Sequence, residues 1–359
     1  MSNIGRMIDG DGHVLEDVEA IKKYLPAEWS SNTTTRTQGV FPALDHMHIH
    51  LDHNPAGAFT NPGPDGWVRF LDELGFEASV LYPTGGLSFG RMIDVELAVG
   101  TARAYNDWLA DTYLKRDSRL KGVGLIPFQE PDAAVEELRR IVQDHGMVGA
   151  LMPATGLRSH FGDKIYWPIY AEADRLGSCL SVHGGSYGGL GFDHLNAFPA
   201  IHALGHPLSV AVAFASLTIN GIFDRFPNVR FGFLEAGVAW FLMALERLDG
   251  SYKAFTPYYP KLALEANESP ADYVVRHVKA GRIFVGIEGE EPDLVHAIRR
   301  IGPEPFVFSS DFPHEVNIET CRHEVEEVLE NDELSEGAKR ALFYENAVRF
   351  YGLKTLTAA

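Results

Sequence analysis

Short apolar runs alternate along this chain with longer segments of helical period, and that rhythm is the first thing the sequence says about its fold. Eight runs have the look of strands: Met7 to Asp11, Ala78 to Tyr82, Leu120 to Ile126, Gly149 to Met152, Cys179 to His183, Val229 to Leu234, Ile283 to Gly286 and Phe306 to Ser309. Between them the pattern predicts helices over Ile93 to Lys115, Asp132 to His145, Tyr166 to Leu176, Pro207 to Phe226, Val238 to Tyr252, Ala271 to Ala280 and Glu291 to Ile301. The start of one helix is written out: Ser269-Pro270-Ala271-Asp272 offers a capping serine, a proline at the first helical position and an acid in the first turn. Residues 32–65 have no clear period and are rich in Pro, Gly, Thr and His, which predicts a long loop after the first strand. Eight strand-helix alternations predict an α/β fold, a (β/α)8 barrel, with an open doubly wound sheet as the competitor. No linker divides the chain, so residues 1–359 are expected to form a single domain.

A barrel dictates where chemistry sits, because its active site is built at the carboxyl ends of the strands. Four of those ends carry ionisable groups. The first strand delivers Asp11 and His13, which at i and i+2 point to the same face. The fifth ends at His183 before Gly184-Gly185, the sixth at Glu235, and the eighth runs into Ser310-Asp311-Phe312-Pro313-His314. A buried carboxylate such as Asp311 is costly unless paired, and coordination to a cation is one way to satisfy it. A carboxylate and imidazoles brought together from distant strands are the donor set of a mononuclear metal site.

Composition narrows the function. The chain has 49 acidic and 31 basic side chains and a net charge of −18, which argues against nucleic acid and anionic membranes as partners and leaves a small-molecule substrate. The two cysteines, Cys179 and Cys321, form no CxxC motif or disulfide framework, consistent with a reducing, cytoplasmic setting. No run reads as a signal peptide or as the roughly 18 apolar residues a membrane span needs.

Asp9-x-Asp11-x-His13, His183 and Ser310-Asp311-Phe312-Pro313-His314, in this order and spacing, resemble the amidohydrolase superfamily, in its amidohydrolase-related branch that includes decarboxylases of aromatic and amino-muconate acids. Tyr105 to Leu109 and Gly221 to Phe231 support the resemblance, which covers nearly the whole chain. It implies one divalent metal ion held by Asp11, His13, His183 and Asp311, zinc being expected, with manganese or iron also compatible with nitrogen and oxygen ligands. It also implies a homo-oligomer. The branch commonly has a histidine at the end of strand six, where this chain has Glu235.

Asp311 and Glu235 are the expected catalytic pair. The main functional expectation is a metal-dependent hydrolase using a metal-activated water on a small aromatic or carboxylate-bearing compound. The alternatives are a non-oxidative decarboxylase and a non-catalytic metal-binding barrel. Glu16, Tyr82, Arg158, His160, His206 and His314 are candidate substrate contacts, Arg158 as a carboxylate clamp. His46, His48, His50 and His53, in the long loop, are read as a lid or substrate wall.

Overall fold

A computed structural model describes residues 5–32, 35, 39–44, 56–256, 262–289 and 291–354. Its centre is one parallel sheet in which β1 (Met7–Val14), β2 (Phe76–Pro83), β3 (Leu120–Gly124), β4 (Gly149–Pro153), β5 (Cys179–His183), β6 (Arg230–Phe233), β7 (Ile283–Ile287) and β8 (Phe306–Phe308) follow one another in chain order. The eight strands alternate with helices and curl into a nearly closed (β/α)8 barrel, so the open doubly wound alternative is excluded. The seam between β8 and β1 is drawn together beyond the formal end of β8. The Asp311 amide donates to the Asp11 carbonyl (2.9 Å), and the His13 amide to the carbonyl of Phe312 (2.7 Å). Two of the four ends that carry ionisable groups, those of β1 and β8, are therefore bonded backbone to backbone.

Within β1 the register against β2 slips between Asp9 and Gly12, and this irregularity sorts the two aspartates. Asp9 is turned to the Ser79 hydroxyl (2.5 Å) and accepts the Ser310 amide (2.9 Å), while Asp11 and His13 face the barrel axis. Gly12 lies on the Asp9 side, where a Cβ would fall 2.3 Å from the Trp67 ring and 2.8 Å from the Asp9 carboxylate. Only glycine lets the helix Gly63–Leu74, which carries Trp67, close on this strand. Gly12→Ala is expected to destabilise the fold by about 1–3 kcal/mol through overpacking, read as a lowered midpoint in urea or heat.

The barrel floor is a polar layer. Tyr82 bonds through its hydroxyl to Ser181 (2.6 Å) and Tyr351 (2.9 Å), and Tyr351 donates to the Gly10 carbonyl. Tyr351 closes the terminal helix Asn346–Tyr351, which lies under the strands' amino ends.

One sequence reading of a helix changes. The helix expected from Pro207 begins at Phe198 and runs to Ile219 with Pro207 inside it. Proline lacks the amide that would bond one turn back, and the rest of the helix is held by packing: Phe214 meets Phe233, Trp240 and Phe241 edge-on. By length and composition this helix is apolar enough to cross a membrane, yet it carries nine buried residues, from Ile201 to Thr218. The cap at Ser269 is a reciprocal capping box with Asp272.

Candidate active site

Five side chains from four strand ends converge at the carboxyl mouth. His13 Nε2 lies 3.6 Å from Asp11 Oδ1, 3.2 Å from Asp311 Oδ1 and 3.9 Å from Glu235 Oε2. His183 Nε2 lies 3.4 Å from Asp11 Oδ2 and 3.2 Å from Glu235 Oε2. Both imidazoles have their outer nitrogen committed to backbone, His13 Nδ1 to the Pro83 carbonyl (2.9 Å) and His183 Nδ1 to the Gly184 carbonyl (2.8 Å). A carbonyl only accepts, so Nδ1 carries the proton and Nε2 presents a lone pair to the centre.

Asp11 Oδ1, His13 Nε2, His183 Nε2, Glu235 Oε2 and Asp311 Oδ1 are buried and have no hydrogen-bond partner. Acceptor atoms crowded together in this way repel, and a cation among them removes the penalty. Neighbouring members stand 3.2–3.9 Å apart. Ligands about 2.1 Å from a tetrahedral centre stand about 3.4 Å apart. The donor set of the site fits a divalent cation with nitrogen and oxygen ligands. Both cysteines are buried and offer it no thiolate.

Glu235 and Asp311 are held in a backbone conformation that side chains rarely adopt, with φ of 48° and 54°. Such a conformation costs on the order of 1–3 kcal/mol for a non-glycine residue and persists where the surroundings enforce it. Here it turns each carboxylate back over the strand end. Burial, reinforced by neighbouring carboxylates, pushes the pKa of both well above the ordinary carboxylate range. Burial pulls His13 and His206 well below the usual imidazole value and His314 down to about 4, which favours neutral rings.

Two histidines complete the inner layer. His206, on the helix Phe198–Ile219, places Nε2 3.2 Å from Glu235 Oε1. His314 places Nδ1 2.9 Å from Asp311 Oδ1 and Nε2 2.8 Å from the Thr84 hydroxyl, and its ring stacks between His13 and Phe59. Both candidate contacts are thus brought to the site.

The other four candidates present no free polar group to it. Tyr82 is fully buried with its ring centroid 6.2 Å from that of His13 and 5.8 Å from that of His183, and its hydroxyl points to the floor layer. Glu16 spends its carboxylate on the Gly85 and Gly86 amides (2.9 Å each), the unbonded start of the turn after β2. Arg158 is exposed and lines neither mouth cavity. His160 is exposed beyond β4, with Nδ1 2.8 Å from the Ser216 hydroxyl. His46, His48, His50 and His53 lie outside the described residues.

Two cavities open on the cluster and share His202, His206, Glu235 and Glu315. One is walled by Leu44, Phe59, Leu87, Tyr187 and Phe198. The other, about 620 Å³, is acidic, with Glu288, Glu291 and Glu324 beside Glu235 and Asp311. Among the described residues no lysine or arginine lines either. Glu288, pushed up to about 8 by its surroundings and by Asp311, escaped the sequence reading because β7 extends one residue past the predicted Gly286 and delivers it at the strand end.

A β/α barrel whose carboxyl mouth gathers histidines and carboxylates around one point defines a class of metal-centred barrel enzymes. The family model described as Amidohydrolase matches residues 45–353, and the chain belongs to that family. The match begins after β1, so Asp11 and His13 fall outside it. Gamma-resorcylate decarboxylase of Polaromonas sp. (strain JS666) is 26% identical over 307 residues, 80% of this chain and 87% of that protein. The 2-amino-3-carboxymuconate-6-semialdehyde decarboxylase of Dictyostelium discoideum is 24% identical over 292 residues, 81% of this chain and 77% of that one. Among solved structures, 5-carboxyvanillate decarboxylase of Novosphingobium aromaticivorans, complexed with manganese and 4-hydroxy-3-methoxy-5-nitrobenzoic acid, superposes with a TM-score of 0.76 at 18% identity, covering 98% of each chain. These relatives overturn the hydrolase expectation, since the named ones are decarboxylases. They also weigh against a non-catalytic barrel.

Proposed function

We propose that this enzyme is a divalent-metal-dependent, non-oxidative decarboxylase of an aromatic or unsaturated carboxylic acid. The observation that carries the reading is the wall chemistry of the mouth. It has aromatic and aliphatic side chains for a planar substrate, and among the described residues no arginine or lysine to receive a carboxylate. In a chain of net charge −18, an acid entering this pocket needs countercharge, and the donor cluster is where a cation would sit.

Asp11, His13, His183 and Asp311 would hold the ion. Once bound, it supplies positive charge for the substrate's carboxylate and a neighbouring oxygen. Manganese, found in the N. aromaticivorans enzyme, and zinc both accept such ligands. The protein's own part is protonic. Glu235 in its acid form, with His206 Nε2 3.2 Å from Oε1, gives its proton to the ring carbon that bears the carboxylate. The bond to the carboxyl carbon then breaks, its electron pair returns to the ring, and carbon dioxide leaves. Glu235 remains as a carboxylate and regains a proton through His206, 3.2 Å from Oε1. Phe59, Leu87, Tyr187 and Phe198 give the ring an apolar wall that excludes water.

The test is a panel of ortho-hydroxybenzoates and amino-substituted unsaturated acids incubated with the manganese- or zinc-loaded enzyme. Carbon dioxide release with loss of the acid's absorbance is expected for at least one. Ester or amide cleavage by the same preparation, with no carbon dioxide from any acid, would sink the reading.

A further inference from the structure

The amino mouth of the barrel, opposite the metal cluster, holds a second cavity of about 620 Å³. Lys121 at the start of β3, Ser178 just before β5 and Arg230 at the start of β6 line it, and the terminal helix closes it through Val348 and Tyr351. Its charge balance is the reverse of the molecule's. The single acid in the lining, Glu77, is held by both arms of Arg6 (2.6 and 2.7 Å), and Arg119 is matched by Asp72 and Asp117. Lys121 and Arg230 have no such match among the described residues. Lys121 bonds only to the Ser118 carbonyl (2.6 Å), and Arg230 spends Nε on the Phe350 carbonyl (2.6 Å).

Both cations are partly withdrawn from water, and burial pulls the pKa of each below its usual value. A desolvated guanidinium without a carboxylate is a standing cost that an anion would repay. A second, independent observation points the same way. Ser178 is 3% exposed and its hydroxyl has no hydrogen-bond partner, although a buried hydroxyl ordinarily finds one.

We infer that this floor cavity is a binding site for a small oxyanion, a phosphate or an organic carboxylate, met by Arg230 and Lys121 and by the Ser178 hydroxyl. Arg230 is suited to such a ligand because the guanidinium nitrogens not bonded to Phe350 can grip two oxygens at once. An anion here would tie β3, β5 and β6 to the terminal helix, whose Tyr351 supports Gly10 and Tyr82 beneath the metal cluster. The inference is independent of the reaction catalysed at the other mouth.

Calorimetric titration with inorganic phosphate and, separately, with benzoate, at ionic strength held constant with sodium chloride, tests it. Saturable one-to-one binding of phosphate, benzoate or both is expected, with a concentration-dependent rise in Tm that chloride does not reproduce. Lys121→Gln should weaken that binding about tenfold and Ser178→Ala by less. Arg230→Gln also loses the bond to Phe350, so the Lys121 variant carries the decision. Absence of saturable heat with both anions overturns the inference. So does binding that Lys121→Gln leaves unchanged, or binding that disappears with a chelator and therefore belongs to the metal mouth.

Discussion

Chelation of divalent metal is expected to abolish carbon dioxide release, and His183→Ala to do the same in a way that added manganese or zinc does not reverse. The effect should be large, on the order of a thousandfold or more, because charge neutralisation at the reacting group is the main service such a site performs. His183 is the ligand to remove because its position is fixed on both sides, Nδ1 by Gly184 and Nε2 between Asp11 and Glu235. Without the ring, Asp11, Glu235 and Asp311 still face the centre, but one neutral donor is gone and the spacing is no longer closed. Metal content measured on the purified variant should fall well below one ion per chain, while the chelated parent regains activity on reloading. His183 ends a fully buried strand, so far-ultraviolet circular dichroism must accompany the assay to show an intact barrel. Stoichiometric metal in His183→Ala, or full activity after chelation, would remove this histidine or the cation from the reaction.

How far the site can be read from the chain depends on what kind of information places each residue. β5 is predicted to the residue, Cys179 to His183, because an apolar run breaks at His183-Gly184-Gly185 and nothing distant competes. Asp11 and His13 follow from strand periodicity, which is local. The slip in register that turns Asp9 toward Ser79 is not local, since it depends on Trp67 packing over Gly12. Nor is the direction of Tyr82, which lies on a correctly predicted strand. Its hydroxyl reaches the floor because Tyr351, 269 residues away, comes up to meet it. Arg158 and His160 show the limit of reading loops: being just past a strand does not bring a side chain over the barrel axis. Glu288 was lost to a boundary error of one residue, the smallest error such a reading makes, at the end of the strand where the chemistry is. The reaction is not written in the chain, because paired carboxylates beside a metal site serve proton delivery and water activation alike. The wall residues that favour the first come from loops and helices far apart in the chain.

Replacing Glu235 with glutamine separates those two uses of the same carboxylate pair. Glutamine keeps the size of the side chain and can still bond to His206, but it has no acidic proton to give. If Glu235 delivers the proton, turnover of a decarboxylated acid should fall by about 10²–10⁴-fold, the usual contribution of a positioned general acid, with KM changed far less. Metal content should stay near that of the parent, because Asp11, His13, His183 and Asp311 are untouched. His206→Asn should cost less, since it removes the route by which Glu235 is reprotonated and leaves the acid in place. Asp311→Asn gives the contrasting result. It strips a charged donor 3.2 Å from His13 Nε2 and also breaks the contact with His314, so metal content and turnover should drop together. The assignment turns on these paired readouts. A Glu235→Gln enzyme that turns over near the parental rate would move the proton to Asp311 and His314, and one that loses its metal would make Glu235 a ligand. Glu235 and Asp311 are both held at positive φ, each with its own histidine. Only the response of metal content distinguishes the member that holds the ion from the member that holds the proton.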